Sequence, residues 1–206
     1  MRTLPNLAPV RRVAAVSAVA LLLGGCVGSM LREAPVATYD LTAPQGFSGR
    51  AAAGRGALVV VEPTAIQTVD SNRMVARSGG QVSYVPAAQW TDRLPSLVQT
   101  RMVQAFENAG RIGSVARSGD RIAGDYQLIT DIRAFELDVR QAGGTVARVE
   151  IAAKLVSNRN GRVVSGRVFR ADVPAGDVTG PSASHSLNQA LNQVLVELVG
   201  WASGHV

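Results

Sequence analysis

Cys26 is the residue whose chemistry the sequence makes clearest, because it is the only cysteine in the chain. It follows eleven uncharged residues, 13–23, and two glycines, and the arginines further upstream have no acidic residue among them. A basic start, a short apolar segment and small residues before a cut are the parts of a secretory signal. As a helix the apolar segment rises only about 16 Å, against a hydrocarbon core of roughly 30 Å. We therefore predict that residues 1–25 form a cleaved signal peptide and not a transmembrane helix.

The residues at the predicted cut also indicate what happens to the thiol. Leu23-Gly24-Gly25-Cys26 resembles the lipobox, in which the cysteine is acylated with chains such as palmitate. Each buried methylene contributes about 0.8 kcal/mol, so the anchor is in effect permanent. Val27 stands where an aspartate usually retains enteric lipoproteins in the inner membrane, so we expect the periplasmic face of the outer membrane. An ordinary secretory signal with a chance cysteine is the alternative.

No other group of residues predicts a reactive site. His185 and His205 have no partners at metal-ligand spacing, and the chain contains neither a phosphate-binding GxxxxGK[ST] loop nor a GxSxG elbow. Asp131, Glu136 and Asp138 lie on one alternating strand, where solvated charges are favoured and a paired acid/base site stays open as an alternative. The sequence therefore predicts a protein without catalytic residues, metal or cofactor, and not an enzyme.

The charge pattern bears on the class of partner. The formal net charge is +6, and removing the three arginines of the signal peptide leaves +3. The remaining basic residues are scattered, no basic run occurs, and only 4% of residues are aromatic. Nucleic-acid surfaces combine basic patches with stacking aromatics, so nucleic acid is not an expected partner.

The pattern of apolar residues predicts three segments after the signal peptide. Residues 26–57 are expected to form the lipid anchor and a flexible tether with a reach of roughly 30 Å, interrupted by a short strand-like island at 38–41. Residues 58–203 are expected to form a single domain. The predicted strands cover 57–63, 73–77, 81–85, 111–117, 125–139, 146–156 and 162–173, and the predicted helices cover 89–109 and 182–203.

The order βββ-α-ββββ-α predicts the fold class. Long neighbouring strands joined by tight turns, such as Asn160-Gly161, imply a mostly antiparallel sheet, and two helices covering one face make the fold α+β. A change of phase near Ala134 predicts a β-bulge. Pro86 is expected to end its strand, and Pro95 to lie in the first turn of its helix.

Motifs along the whole domain resemble one family. In order, they are Tyr39-Asp40-Leu41, Leu58–Pro63, Asp70–Val75, Trp90–Pro95, Gly161–Val164 and a closing helix with Trp201. Residues 38–202 thereby resemble the ABC-type transport auxiliary lipoproteins, which include paraquat-inducible protein C. The resemblance implies a partner complex with an ATPase, a permease and a periplasmic protein of the mammalian-cell-entry type, which moves phospholipid between the two membranes. Val85-Pro86 departs from the family pattern, which has a second aromatic residue there.

The resemblance implies that the lipoprotein docks the periplasmic conduit at the outer membrane. We expect Tyr39 and Leu41, along a sheet edge, and the nearby Trp90 to contact partner subunits in a ring-shaped homo-oligomer. A monomer and a core position for Trp90 stay open. Two other functions stay open as well: an envelope-assembly lipoprotein that chaperones or plugs an outer-membrane β-barrel, and a hydrolase acting on envelope polymers.

Overall fold

In the computed structural model, residues 35–47, 56–140 and 143–206 are described, and nine strands within them form one sheet. Residues 1–25 and Cys26 lie outside these ranges. The strands are β1 Ala37–Tyr39, β2 Ala57–Val60, β3 Thr64–Ala65, β4 Arg73–Ser78, β5 Gln81–Trp90, β6 Ser114–Arg117, β7 Tyr126–Arg140, β8 Gly144–Ser157 and β9 Val163–Ala175. The two helices are α1, Leu94–Ala109, and α2, Gly180–Ser203.

Strand β7 organises the sheet. Along one side it pairs antiparallel with β8, which pairs antiparallel with β9. Along the other side β2, β3 and β4 pair with it in succession, all parallel. Beyond these, β5 pairs antiparallel with β4, β1 parallel with β5, and β6 parallel with β2. The α+β class is confirmed, in a mixed sheet whose longest neighbours are antiparallel and whose short strands are mostly parallel.

Several local predictions are confirmed. The register of β7 shifts between Ile132 and Ala134, which is the predicted bulge. Strand β8 alternates as expected, with the side chains of 147, 149, 151, 153 and 155 buried. Pro95 lies in the first turn of α1, and Gly110 ends that helix with a φ of 59°, a left-handed conformation that glycine adopts without steric cost.

The segment around Pro86 differs from the prediction. Strand β5 continues through Pro86 to Trp90, and α1 begins at Leu94 instead of residue 89. The pairing of β5 with β4 jumps from Tyr84 to Gln89, so the missing amide hydrogen of Pro86 falls in an irregular stretch. Five strands therefore precede α1, and the order becomes βββββ-α-ββββ-α.

Both helices pack on the sheet around one hydrophobic core, within the compact unit Val36–Val206. Trp90 lies in this core at 1% exposure, edge-on to the ring of Phe135 with 5.8 Å between centroids. Helix α2 contributes a continuous apolar stripe from Ala183 to Ala202. Edge-to-face aromatic pairs add about 0.5–1.5 kcal/mol beyond the burial itself.

The described residues of the predicted tether belong to the domain. Leu41 is 1% exposed, and the amide of Thr42 donates to Asn188 Oδ1 of α2 at 2.7 Å. Arg101 of α1 donates to both carboxylate oxygens of Asp40 at 2.7 Å. The prediction of a free tether over 26–57 is therefore wrong for 36–47. The segment has too few apolar residues to show periodicity, and side-chain hydrogen bonds from both helices hold it.

Candidate functional site

The helices leave the other face of β7, β8 and β9 uncovered, and we call this the outer face. Successive side chains of a strand point to opposite faces, so the register fixes its members. Ala152 of β8 lies between Asp131 of β7 and Val168 of β9. Two positions along β8, Lys154 lies between Ile129 and Gly166. The outer face thus carries an apolar part at one end of the strands and a charged part at the other.

The charged part is a row of ion pairs, which we call the charge ladder; eight of its members form one connected network, and Arg77 and Glu136 form a separate pair beside it. Its members are Arg77, Asp131, Arg133, Glu136, Asp138, Arg140, Arg148, Glu150, Arg170 and Asp172. The shortest pairs join Arg77 Nε to Glu136 Oε1 at 2.8 Å and Arg170 Nη2 to Asp172 Oδ2 at 2.8 Å. Arg148 bridges Asp172 at 3.0 Å and Asp138 at 3.1 Å. Equal numbers of arginines and carboxylates make this part of the face neutral.

The electrostatics of the ladder favour the charged forms of Arg77, Arg148 and Asp172. The hydrogen bond to Glu136 raises the pKa of Arg77, and the hydrogen bond to Asp172 raises the pKa of Arg148. Burial raises the pKa of Asp172, but hydrogen bonds from Arg170 and Arg148 outweigh burial and lower it overall. Asp131, Glu136 and Asp138, the acids that the sequence left open as a catalytic pair, are each ion-paired with arginine. This arrangement stabilises fixed charges and does not favour proton transfer.

The apolar part contains an open hollow of about 590 Å³. Ile129, Ala152 and Val168 form its apolar lining, and Ile129 and Val168 are 39% and 46% exposed. Four charged residues line it as well: Asp131, Arg133, Lys154 and Arg167. Gly166 leaves room beside Lys154 because it has no side chain. We call this the outer hollow. It lies against β9, which pairs with β8 alone among the described strands. A 13-residue strand with one unpaired edge is a template for pairing with another chain.

The structure separates the three predicted contact residues from this surface. Leu41 and Trp90 are core residues at 1% exposure each, so as partner contacts they are wrong, and the core alternative for Trp90 is confirmed. Tyr39 is half-buried and packs against the core near Gly180. The pairing of β1 along a sheet edge is as expected, because Tyr39 pairs with Trp90. Tyr39 lies in a segment with few apolar residues, so the sequence did not indicate that its ring would pack against the start of α2.

The remaining predicted sites add no reactive centre. His185 is exposed on α2, and His205 Nδ1 lies 2.8 Å from the carbonyl oxygen of Trp201. Over the described ranges, no three His, Cys, Asp or Glu side chains are arranged to hold a metal ion. Neither α1 nor α2 is long and apolar enough to cross a membrane. The lipidation site predicted at Cys26 lies outside the described residues.

Arg93 forms a second ion-pair centre that sequence reasoning missed. It donates to Asp70 at 2.6 Å and to Glu62 at 3.0 Å, whereas Arg73 lies over the ring of Tyr84, 3.3 Å from its centroid. The hydrogen bonds that Arg93 donates, first to Asp70 and then to Glu62, raise the pKa of Arg93. Asp70 is only three residues from Arg73 in sequence, but its carboxylate binds Arg93, the residue that precedes α1.

Comparison with known proteins agrees with this architecture. A protein of Bradyrhizobium diazoefficiens is 31% identical over 164 residues, which are 80% of this chain and 44% of that protein, so the chain spans less than half of its relative. A crystal structure of a DUF330 protein from Xanthomonas campestris superposes with a TM-score of 0.76 at 31% identity, covering 82% of this chain and 96% of that one. A second crystal structure, at 15% identity and a TM-score of 0.64, covers 82% of this chain and 99% of that one and shares the fold.

The family model for the ABC-type transport auxiliary lipoprotein component matches residues 39–199, which include every strand but the start of β1 and nearly all of α2. That family consists of transport auxiliaries and is not an enzyme family. The chain belongs to the ABC-type transport auxiliary lipoprotein family.

Proposed function

We propose that this protein is the outer-membrane lipoprotein of an intermembrane phospholipid transport system. In this role Cys26 is acylated and the domain docks the periplasmic protein of the mammalian-cell-entry type that forms the conduit. Family membership supports the association with an ABC transport system. The lipobox-like residues 23–26 and Val27 support the anchor and the choice of membrane.

The observation that carries the docking role is the outer hollow beside the unpaired edge of β9. Ile129 and Val168 expose apolar surface, and the edge offers backbone hydrogen bonds to a partner strand. The charge ladder next to them is already neutralised, so it gives register and specificity more than affinity. A protein partner, or a second copy of this chain in a homo-oligomer, fits such a surface.

The docking role is tested by affinity purification of the full-length protein from membranes. We expect a mammalian-cell-entry protein to co-purify, and Val168→Arg to reduce its recovery because a charge is buried at the contact. Val196→Arg is the matched control, since Val196 is also 46% exposed but lies on α2. Recovery of an outer-membrane β-barrel in place of the conduit protein contradicts this proposal and favours the envelope-assembly alternative.

The anchor and the assembly are tested separately. Mass spectrometry of the mature protein is expected to show acylated Cys26, and Cys26→Ser is expected to leave the precursor unprocessed or the domain unanchored. Sedimentation with inner-membrane fractions contradicts the proposed membrane. Light scattering on residues 36–206 is expected to show an oligomer that Val168→Arg dissociates, and a monomer that also fails to assemble with the conduit protein contradicts the oligomer.

A further inference from the structure

Two loops at the end of the sheet where β7 begins form a single surface. Residues 118–125 connect β6 to β7, and residues 158–162 connect β8 to β9. Asn158 joins the two loops. Its side-chain Nδ2 donates to the carbonyl oxygen of Gly124 at 2.6 Å, and its backbone N–H donates to the carbonyl oxygen of Asp125 at 2.9 Å. We call these loops, with the adjoining Arg117 and Val163, the basic tip.

The basic tip collects arginines that have no acidic partner. Within the described part of the chain, no carboxylate lies at ion-pairing distance from four exposed arginines, which are Arg117, Arg121, Arg159 and Arg162. The two nearby acids are occupied by backbone amides. Asp120 accepts from the amide of Arg117 at 2.8 Å, and Asp125 accepts from that of Ala57 at 3.0 Å. The carboxylates of Asp120 and Asp125 keep their charge, so four arginines against two acids leave this end with a net positive charge, whereas the charge ladder is neutral.

The same tip exposes apolar side chains. Ile122 is 57% and Val163 is 59% exposed, the highest values among the large apolar side chains of the described residues. Arg121, next to Ile122, has a φ of 56°, a left-handed conformation that only a few per cent of non-glycine residues adopt. The loop therefore keeps an unfavourable backbone conformation and an exposed isoleucine at the same point.

An open hollow of about 530 Å³ lies between the loops. Arg117, Arg121 and Ile122 line it together with the backbone of Gly119 and Gly124. A Cβ on Gly124 would lie 2.6 Å from Val59 Cγ2, so only glycine fits there. The hollow thus offers arginine side chains and an apolar side chain to one ligand. A phosphate ester with a hydrocarbon chain has the complementary groups, an anion and an apolar chain.

We propose that the basic tip binds the surface of a membrane that contains anionic phospholipid. The arginines contact headgroup phosphates, and Ile122 and Val163 enter the boundary between headgroups and acyl chains. Basic side chains beside exposed apolar ones are typical of such peripheral binding. An acidic protein would use the arginines but would gain little from two separately exposed apolar side chains. The inference adds direct lipid contact to the proposed function.

The charge contribution is tested with residues 36–206, which form one compact unit with its own core. Vesicles contain equal parts of phosphatidylglycerol and phosphatidylcholine, or phosphatidylcholine alone. We expect the fragment to co-sediment with the first kind only. Arg121→Gln/Arg159→Gln is expected to weaken partitioning about thirtyfold, at about 1 kcal/mol per basic residue. Lys154→Glu removes the same net charge from the outer face, and we expect it to change partitioning less than threefold.

The apolar contribution is tested with a second pair of variants. Ile122→Asn is expected to weaken partitioning about tenfold, because an inserted isoleucine is lost. Ile66→Asn is the matched control, with 52% exposure away from the tip. Circular dichroism verifies that each variant is folded.

Three outcomes overturn the proposal: equal binding to both kinds of vesicle, equal loss with Lys154→Glu, or release by inorganic phosphate at constant ionic strength. Tighter binding to polyglutamate than to vesicles, unaffected by Ile122→Asn, assigns the tip to an acidic protein and also overturns it. Since no transport partner is present in the assay, its failure leaves the docking proposal untouched.

Discussion

The pair of Arg77 and Glu136 gives the sharpest test of how the charge ladder is built. The Glu136 side chain is only 6% exposed, whereas that of Arg77 is 31% exposed, and 2.8 Å separates Nε from Oε1. Arg77→Met leaves the buried carboxylate without its nearest partner. Breaking a fully buried pair costs about 3–5 kcal/mol, and because one end of this pair reaches solvent we expect about 2–3 kcal/mol.

The assay is thermal and urea unfolding of residues 36–206. For a domain of this size 1 kcal/mol shifts Tm by about 2–4 °C, so the expected decrease for Arg77→Met is roughly 4–12 °C. Arg77→Met/Glu136→Leu removes both charges, and we expect it to be within about 1 kcal/mol of the wild type, because no charge stays buried and unpaired.

Two results would refute this reasoning. A loss below about 0.5 kcal/mol for Arg77→Met would mean that Glu136 is solvated like a surface carboxylate. A double variant as unstable as Arg77→Met would mean that the loss comes from packing of the arginine stem and not from the unpaired charge. In either case the ion pair of Arg77 and Glu136 would contribute little to stability through its charges.

Two further predictions concern the helix α2 and the acid range. Gly180→Ala is expected to destabilise the domain by about 1–3 kcal/mol, since its Cβ would lie 2.9 Å from Ala88 Cβ. Gly200 lies in the same helix, and a Cβ there would contact no other atom within 4 Å. Gly200→Ala should therefore stabilise the domain by up to about 1 kcal/mol in the same urea titration. The lowered pKa of Asp172 means that its pairing stabilises the fold above its ordinary value of 3.8 and is lost as the pH falls below it. Asp172→Asn should therefore flatten the dependence of Tm on pH below that value, and an unchanged slope would show that the pairing contributes nothing to stability.

Patterns over a few neighbouring residues predicted the elements whose conformation depends on residues close in sequence. The alternation of β8 and the bulge near Ala134 follow from the two-residue period of a strand, and both are confirmed. The hairpin of β8 and β9 is present, but residues 158–162 form its loop in place of the two-residue turn predicted at Asn160-Gly161. Strand β5 beyond Pro86 was missed, because a proline ends a strand only where its amide is needed for pairing, and here the irregular register with β4 removes that need. No local pattern carries that information.

Pairing across strands accounts for what the sequence did not reveal of the candidate site. The contacts of Arg148 with Asp138 and Asp172 depend on the registers of β7, β8 and β9 together, which are set by the bulge and by long-range packing. The outer hollow likewise requires Ile129, Ala152 and Val168 to fall side by side. Each of these residues was visible as one exposed position of a strand, but their adjacency was not.

Because residues 36–47 pack in the domain, the chain between the proposed anchor and the domain is shorter than the sequence predicted. Eleven residue steps separate Cys26 from Ala37, the first residue of β1, and a fully extended chain covers at most about 40 Å over that length. A tether of 26–57 would have allowed nearly three times as many steps. If Cys26 is acylated, the start of β1 therefore lies no farther than about 40 Å from the membrane. That limit still allows one domain both to contact lipid and to dock a partner, so each activity needs its own variants: Arg121→Gln/Arg159→Gln for lipid contact and Val168→Arg for docking.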